Sequence, residues 1–357
     1  MVRNDNVLLE IRDLAIGYPK QRQTPLYDGL NLKLGKGTLT CLMGPNGSGK
    51  STLIKTLTGL IPPIRGSIAY RGDAHLLKYA RERARTFAVV LTSNPTFGML
   101  RVREVVAIGR HPHTKWTGNF SPRDLEQVQW ALEAVHAETL AERWVHTLSD
   151  GERQRVMIAR ALAQETPIIF LDEPTAYLDL PHKIELMHIL CKLTRQCGLT
   201  LLMSTHELEM ALQHADQLWL LGNEGVCASG VPEDLLLSGN LESVFQRDFL
   251  SFDRARGVFH SQAVLHSFAC LSGDEIAVRW TRNALEKLGI GVSQDSGATL
   301  NIEVSGTGSK AEDTYRWTCQ NLTNGERYVG ESLQGLLTWI RSHRNAEFLN
   351  EKVLPET

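Results

Sequence analysis

Short apolar runs, each cut off abruptly by small or polar residues, set the rhythm of this chain. "LTCLM" stops at a glycine, "PIIFL" at two carboxylates, and "LTLLM" at a serine, a threonine and a histidine, while "DQLWLLGNEGVCASG" adds a fourth run. The unbroken stretch Ile168–Leu171 predicts a strand buried on both faces, the habit of a parallel sheet. Residues 7 to about 90 read as short strands with one loop and helix set among them. Between residue 93 and about 165 a helical period takes over, with Leu125, Val128, Leu132 and Val135 in step. Past about residue 255 the pattern changes again. "VRWTRNALEKLGIGV" predicts a helix stopped by Gly289 and then a strand, and "ATLNIEV" alternates like a half-buried strand. "YRWTCQNLTNGERYV" predicts a hairpin turning at Asn324-Gly325, and Leu333, Leu336, Leu337 and Ile340 lie along one face of a closing helix. The polar stretch "SGTGSKAED" reads as a loop, and "DFLSFDRARG" separates the two parts. The pattern predicts an α/β body over residues 1–255 and a small α+β appendage over 256–357.

Composition narrows the class without naming a chemistry. At 357 residues the chain has room for two or three domains, and 42% hydrophobic with 22% charged residues lets them bury real cores. With a formal net charge of -2, nothing in the overall balance argues for nucleic acid or for an anionic membrane surface, and no nucleic-acid partner is expected. Cys41, Cys191, Cys197, Cys227, Cys270 and Cys319 follow neither metal-ligand nor disulfide-framework spacing, which predicts reduced, cytosolic thiols. The opening "MVRNDNVLLEIRDL" lacks the apolar core of a secretory signal. No window reaches the roughly 18 to 20 apolar residues of a membrane span, so a membrane role is expected to come through a partner.

Chemistry gathers where the apolar runs end. "GPNGSGKST" (Gly44, Pro45, Asn46, Gly47, Ser48, Gly49, Lys50, Ser51 and Thr52) fits G-x-x-x-x-G-K-[ST] between a strand and a helix. Its glycines let successive N–H groups turn inward as a nest for anionic oxygens, and the helix that follows adds its positive end. Lys50 is a movable charge for the β- and γ-phosphates, Ser51 offers a hydroxyl to Mg²⁺, and Thr52 reaches the α-phosphate. A flexible Gly/Ser turn is the plainer alternative, but the strand–loop–helix setting favours a nucleoside triphosphate. At the second strand end Asp172 is placed to hold Mg²⁺, and Glu173, turned the other way, to polarise an attacking water. At the third, past Ser204 and Thr205, His206 can contact a γ-phosphate or hold the water. Ser149 and Glu152 form a capping box that starts a helix, with Gly151 leaving its N–H accessible to an anion.

With "LSDGERQRVMIARALA" the chain resembles the ATP-binding subunit of an ATP-binding cassette (ABC) transporter. The family signature is usually written LSGGQ, matched here by Leu148, Ser149, Asp150, Gly151 and Glu152. The resemblance covers residues 1 to about 255, where five motifs occur in the family's order. It implies a P-loop NTPase ABC cassette, a mixed sheet core with a helical subdomain over about 93–165, and ATP and Mg²⁺ as ligands. In that family the signature closes over the γ-phosphate held by a facing subunit, which implies a head-to-tail homodimer. Asp150 and Glu152 bring negative charge to that end and oppose closure unless both carboxylates are turned away. Tyr18 matches the aromatic that stacks on adenine, Asp179 the aspartate that organises the dimer contact, and His206 the switch histidine. The family usually ends a strand with glutamine where "FAVVLTSNPTF" places Thr92, whose hydroxyl can bind water or Mg²⁺ but cannot span the same gap.

The resemblance also implies partners and a place in the cell. They are an integral membrane permease and a substrate-binding protein, with the ATPase peripheral on the cytoplasmic face of the inner (plasma) membrane. "RVREVVAIGRHPHT" resembles the docking region of ATPases that serve importers of iron–siderophore complexes, haem and cobalamin, which puts Arg110 and His111 near the permease. The appendage carries no catalytic constellation and reads as a structural or dimer-stabilising module. Three alternatives stay open: a soluble ABC protein acting on ribosomes or DNA, a nucleotide-dependent switch, and a transporter ATPase for another cargo such as metal ions. The first generally has two cassettes or long coiled-coil insertions, neither of which appears here; the second has no need of Glu173 and His206.

Overall fold

The runs "LTCLM", "PIIFL" and "LTLLM" become buried strands, and the order of those strands builds the site. The computed structural model describes residues 6–17, 25–74, 78–92, 97–114, 119–222, 225, 227–245, 250–254, 257–261, 265–293, 297–307 and 314–343. It divides into two units, Met1–His260 and Ser261–Thr357. The first opens with β1 (Val7–Ile16), β2 (Tyr27–Gly35), β3 (Leu39–Met43), α1 (Lys50–Leu57), β4 (Arg65–Tyr70), α2 (Ala80–Thr86) and β5 (Phe87–Val90). Three helices follow: α3 (Val102–Ile108), α4 (Pro122–Ala134) and α5 (Asp150–Ala163). Alternation returns with β6 (Ile168–Asp172), α6 (Leu180–Cys197), β7 (Thr200–Ser204), α7 (Leu208–His214), β8 (Gln217–Leu221) and β9 (Cys227–Gly230). The short helices α8 (Pro232–Leu237) and α9 (Asn240–Phe245) precede a two-stranded ribbon, β10 (Leu250–Asp253) and β11 (Val258–Ser261).

A six-stranded sheet runs β5-β6-β7-β3-β8-β9, parallel except for β9. Each residue of β3, β6 and β7 is buried, which is why these strands read as continuous apolar runs rather than alternating ones. Alternate side chains serve two cores. Leu42, Phe170, Leu202 and Trp219 pack with α1 and the antiparallel sheet β2-β1-β4, whereas Met43, Ile169, Leu171 and Met203 pack with α5 and α6. Because β3 lies next to β7 and β7 next to β6, the carboxyl ends of three parallel strands, with the loops that follow them, lie side by side, where open α/β sheets bind ligands.

The helical segment packs by the expected period at Val128, Leu132 and Val135, but Leu125 is 57% exposed and Asp124 is buried in its stead. In the second unit β12 (Ser267–Gly273), α10 (Glu275–Glu286), β13 (Ile290–Val292), β14 (Leu300–Thr307), β15 (Thr314–Asn321), β16 (Arg327–Gly330) and α11 (Leu333–Ser342) form a sheet of order β13-β12-β14-β15-β16. Its two helices share one core with Ile302, Val304 and Cys319, and the Trp317 indole N–H donates to Thr281 Oγ1 at 2.9 Å. Gly289 (φ 72°) ends the α10 segment and Gly325 (φ 79°) turns the β15–β16 hairpin. Among the described residues no helix is long and apolar enough to cross a membrane.

Candidate active site

The loop after β3 is shaped around something it does not itself supply. Gly47 and Gly49 have φ of 79° and 88°, conformations that a side chain strains. A Cβ on Gly44 would stand 2.1 Å from the Leu221 carbonyl oxygen. Gly49 is the N-cap of α1 and gives it no side-chain cap, so the first N–H groups of the helix stay available. Among the described residues the buried Ser48 hydroxyl has no partner. Lys50 folds back over the loop, its Nζ donating to the carbonyls of Gly44 at 2.9 Å and Pro45 at 3.0 Å. Burial holds its pKa below the usual lysine value, against the opposing pull of the Glu173 and Asp172 charges. An orphan hydroxyl, a buried ammonium satisfied only by carbonyls and an uncapped helix start fit a polyanionic phosphate group.

Across the sheet a single network ties the other strand ends together. Asp172 and Ser204 stand in register on β6 and β7. Asp172 Oδ1 accepts from Ser204 Oγ at 2.7 Å and from Ser51 Oγ at 3.1 Å. The same Ser204 oxygen accepts the Glu173 N–H at 2.8 Å. Glu173 leaves the strand with φ 51°, an unfavourable backbone for a non-glycine that turns it away from the Asp172 side. Its Oε1 lies 2.8 Å from His206 Nε2. Thr92 closes the group by donating its hydroxyl to the Asp172 carbonyl at 2.9 Å. Among the described residues no three His, Cys, Asp or Glu side chains gather into a metal cage. The Ser51–Asp172 pair suits Mg²⁺, which takes one or two protein ligands and completes its shell with water and phosphate oxygens.

A second group lies at the start of α5. Ser149 Oγ accepts the Glu152 N–H at 3.3 Å, and the Glu152 carboxylate accepts the Ser149 N–H at 2.8 Å and Arg143 Nη1 at 2.8 Å. The hydrogen bond from the Ser149 backbone, with Arg143 beside it, holds the Glu152 carboxyl below its ordinary pKa. Asp150 is 3.8 Å from Arg153. Both carboxylates therefore have partners of their own, and Glu152 is turned back to its cap rather than outward. A Cβ on Gly151 would meet only ordinary contacts, the nearest 3.5 Å away at His182. His182 in turn is hydrogen-bonded through Nδ1 to Asp179, the N-cap of α6. Among the described residues no hydrogen bond or ion pair joins Ser149, Gly151 or Asp179 to the Lys50–Asp172–Glu173 group.

Comparison with known proteins decides the family. An ABC transporter family model matches residues 27–176, and a model for an iron ABC transporter C-terminal domain matches residues 266–341. An uncharacterised ABC transporter ATP-binding protein of Methanocaldococcus jannaschii is 38% identical over 253 residues, 71% of this chain and 86% of that protein. The chain belongs to the ABC transporter ATP-binding family. The ferric enterobactin transport ATP-binding protein of Escherichia coli is 37% identical over 233 residues, 65% of this chain and 84% of that protein. The achromobactin transport ATP-binding protein of Dickeya dadantii is 37% identical over 237 residues, 66% of this chain and 87% of that protein. Among solved structures, one from an inward-facing ABC transporter superposes with TM-score 0.59 at 27% identity, covering 72% of this chain and 96% of that one.

Set against this ABC frame, most of the site residues expected from sequence fall into the two groups just described, and Tyr18 lies outside the described residues. Arg110 is 2% exposed and bonded to Asp124 at 2.8 Å, Ala163 at 2.8 Å and Glu165 at 3.0 Å, so its side chain is not itself presented outward. It joins the ends of three helices, while its neighbour His111 is exposed. Ser204 is the member that sequence reading passes over as a site residue. Its signal was its place, the first polar residue after "LTLLM", yet nothing in a single sequence puts it in register with Asp172.

Proposed function

We propose that this chain is the ATP-hydrolysing subunit of an ABC importer whose cargo is an iron–siderophore chelate. The observation that carries the catalytic part is the unbroken network Ser51–Asp172–Ser204–Glu173–His206 beside a phosphate-shaped loop. The named relatives and the iron-transporter family of the second unit support the cargo.

Each residue then has a task. Lys50 exchanges the Gly44 and Pro45 carbonyls for the β- and γ-phosphates of ATP, while the loop N–H groups and α1 take up the remaining charge. Mg²⁺ would be held by Ser51 and Asp172, with Thr92 positioned to reach it through water, and would neutralise charge on the phosphate oxygens. Glu173 orients and deprotonates the attacking water, and His206 holds the Glu173 carboxylate in place. Ser204 fixes Glu173 and Asp172 at once. Ser149 and Gly151 present the start of α5 to ATP bound on a facing copy, with Asp179 at the contact. ATP draws two chains together and hydrolysis releases them. That alternation would drive a membrane permease, supplied by a substrate-binding protein, from the cytoplasmic face of the inner membrane.

The test is Glu173→Gln. ATP affinity is expected to stay within a few-fold while turnover falls by roughly 10²–10⁴. Turnover equal to the parent's would remove Glu173 from its role. For cargo, deletion of the chain should abolish uptake of a radiolabelled ferric siderophore, and undiminished uptake would contradict the assignment.

A further inference from the structure

The first turn of α6 lies against the start of α5 and is paired with the residue that follows His206. Asp179 accepts the His182 N–H at 3.2 Å and is bonded again to its ring. That ring lies against Gly151 at the start of α5. One residue on, Lys183 Nζ forms an ion pair with Glu207 Oε1. Glu207 directly follows His206, whose Nε2 holds Glu173, and the Glu207 N–H is fixed by Thr205 Oγ1 at 3.0 Å. Two residues further along, Glu185 takes Arg155 of α5 at 3.1 Å. The helix carrying these contacts is 18 residues long and anchored by buried Leu186, Met187, Ile189 and Leu190, so it moves as a unit.

We propose that the Lys183–Glu207 ion pair is a strut coupling the two half-sites that one chain gives to two different nucleotides. A displacement of His206 and Glu173 on one ATP is passed through Glu207 to Lys183. It then travels along the first turn of α6 to Asp179, His182 and Gly151, which face the ATP of the other copy. Lys183 and Glu207 are positioning residues, since neither touches the Lys50 group directly. The inference rests on the paired-site reading above. The pair has side chains 22% and 40% exposed, and pairs of that kind add little to folding stability. Its loss should therefore show in coupling rather than in folding.

The experiment measures ATPase rate against Mg-ATP concentration for the full-length parent, Lys183→Met, Glu207→Gln and the exchanged pair Lys183→Glu/Glu207→Lys. Binding of a fluorescent ATP analogue is followed in parallel. Analogue affinity is expected to change less than about twofold, while the Hill coefficient falls from about 2 toward 1 in each single variant and recovers in the exchanged pair. Single variants with the parent's Hill coefficient overturn the strut, as does an exchanged pair that fails to recover. A single variant that loses its fold overturns it too, because the pair would then be holding structure rather than passing a signal. A parent that hydrolyses ATP with a Hill coefficient of 1 overturns the paired-site reading and the strut together.

Discussion

Replacing Arg110 by methionine isolates the most buried charge in the helical segment. The guanidinium is 2% exposed and satisfies three acceptors: Asp124 Oδ1, Glu165 Oε2 and the carbonyl of Ala163, the last residue of α5. Carbonyls at a helix end have no partner within the helix, so Ala163 depends on an outside donor. Methionine fills much of the same volume but donates nothing. Asp124 keeps the Ser121 N–H at 2.9 Å and the Ser121 hydroxyl at 2.6 Å on Oδ2, while Oδ1 is left ionised, buried and unpaired. Removing one partner of a buried pair costs about 3–5 kcal/mol. For a unit of this size, each kcal/mol lowers Tm by roughly 2–4 °C, giving a drop of roughly 6–20 °C. Thermal unfolding followed by circular dichroism and a urea midpoint at constant slope both read this. The double change Arg110→Met/Asp124→Leu removes the stranded charge and should recover most of the loss. A destabilisation below about 1 kcal/mol, the range of an exposed pair, would refute the burial argument.

Two further outcomes follow from the same geometry. Ser204→Ala strips the Glu173 N–H and Asp172 Oδ1 of a shared partner, so turnover should fall about 10- to 100-fold while ATP binding through Lys50 persists; steady-state kinetics with unchanged turnover would show that Ser204 positions nothing. Hydrogen bonds from Ser121, with Arg110 beside them, hold the Asp124 carboxyl at about 2, below its ordinary 3.8. The folded value is the lower one, so the stability from this group is complete above about pH 4 and disappears as pH falls toward 2. Urea midpoints across that window should fall less steeply for Asp124→Asn, and equal slopes would contradict the assignment.

The strand ends were legible because burial on both faces forces continuous apolar runs, and the polar segment after each run is presented at the carboxyl end of the sheet. Asp172 and Glu173 stand directly after such a run, whereas Lys50 is found through the phosphate-loop spacing and His206 gains weight only from its place near a third strand end. Periodicity says less about charges. Nothing local marks Arg110 as buried; its partners are Asp124, 14 positions on, and Glu165, 55 positions on. Leu125 keeps the helical spacing yet faces outward, because Asp124 takes the buried position beside Arg110. Ser204 depends on register between β6 and β7, and the placing of β3 between β7 and β8 depends on crossovers that no local pattern encodes. The Ser149–Glu152 capping box is local, and it is found where its spacing puts it.

The sharing of each ATP between two chains is tested most directly by mixing two defective ones. Lys50→Met disables the phosphate loop and keeps the α5 start. Gly151→Asp does the reverse, and its new side chain begins 3.5 Å from the nearest neighbour, so the fold should survive. Each variant alone is expected to be nearly inactive. In an equal mixture half the pairs are mixed and carry one intact site, so ATPase activity should rise above that of either variant alone, to at most about a quarter of the parent's. A mixture no more active than its separate components would mean that each chain completes its own site.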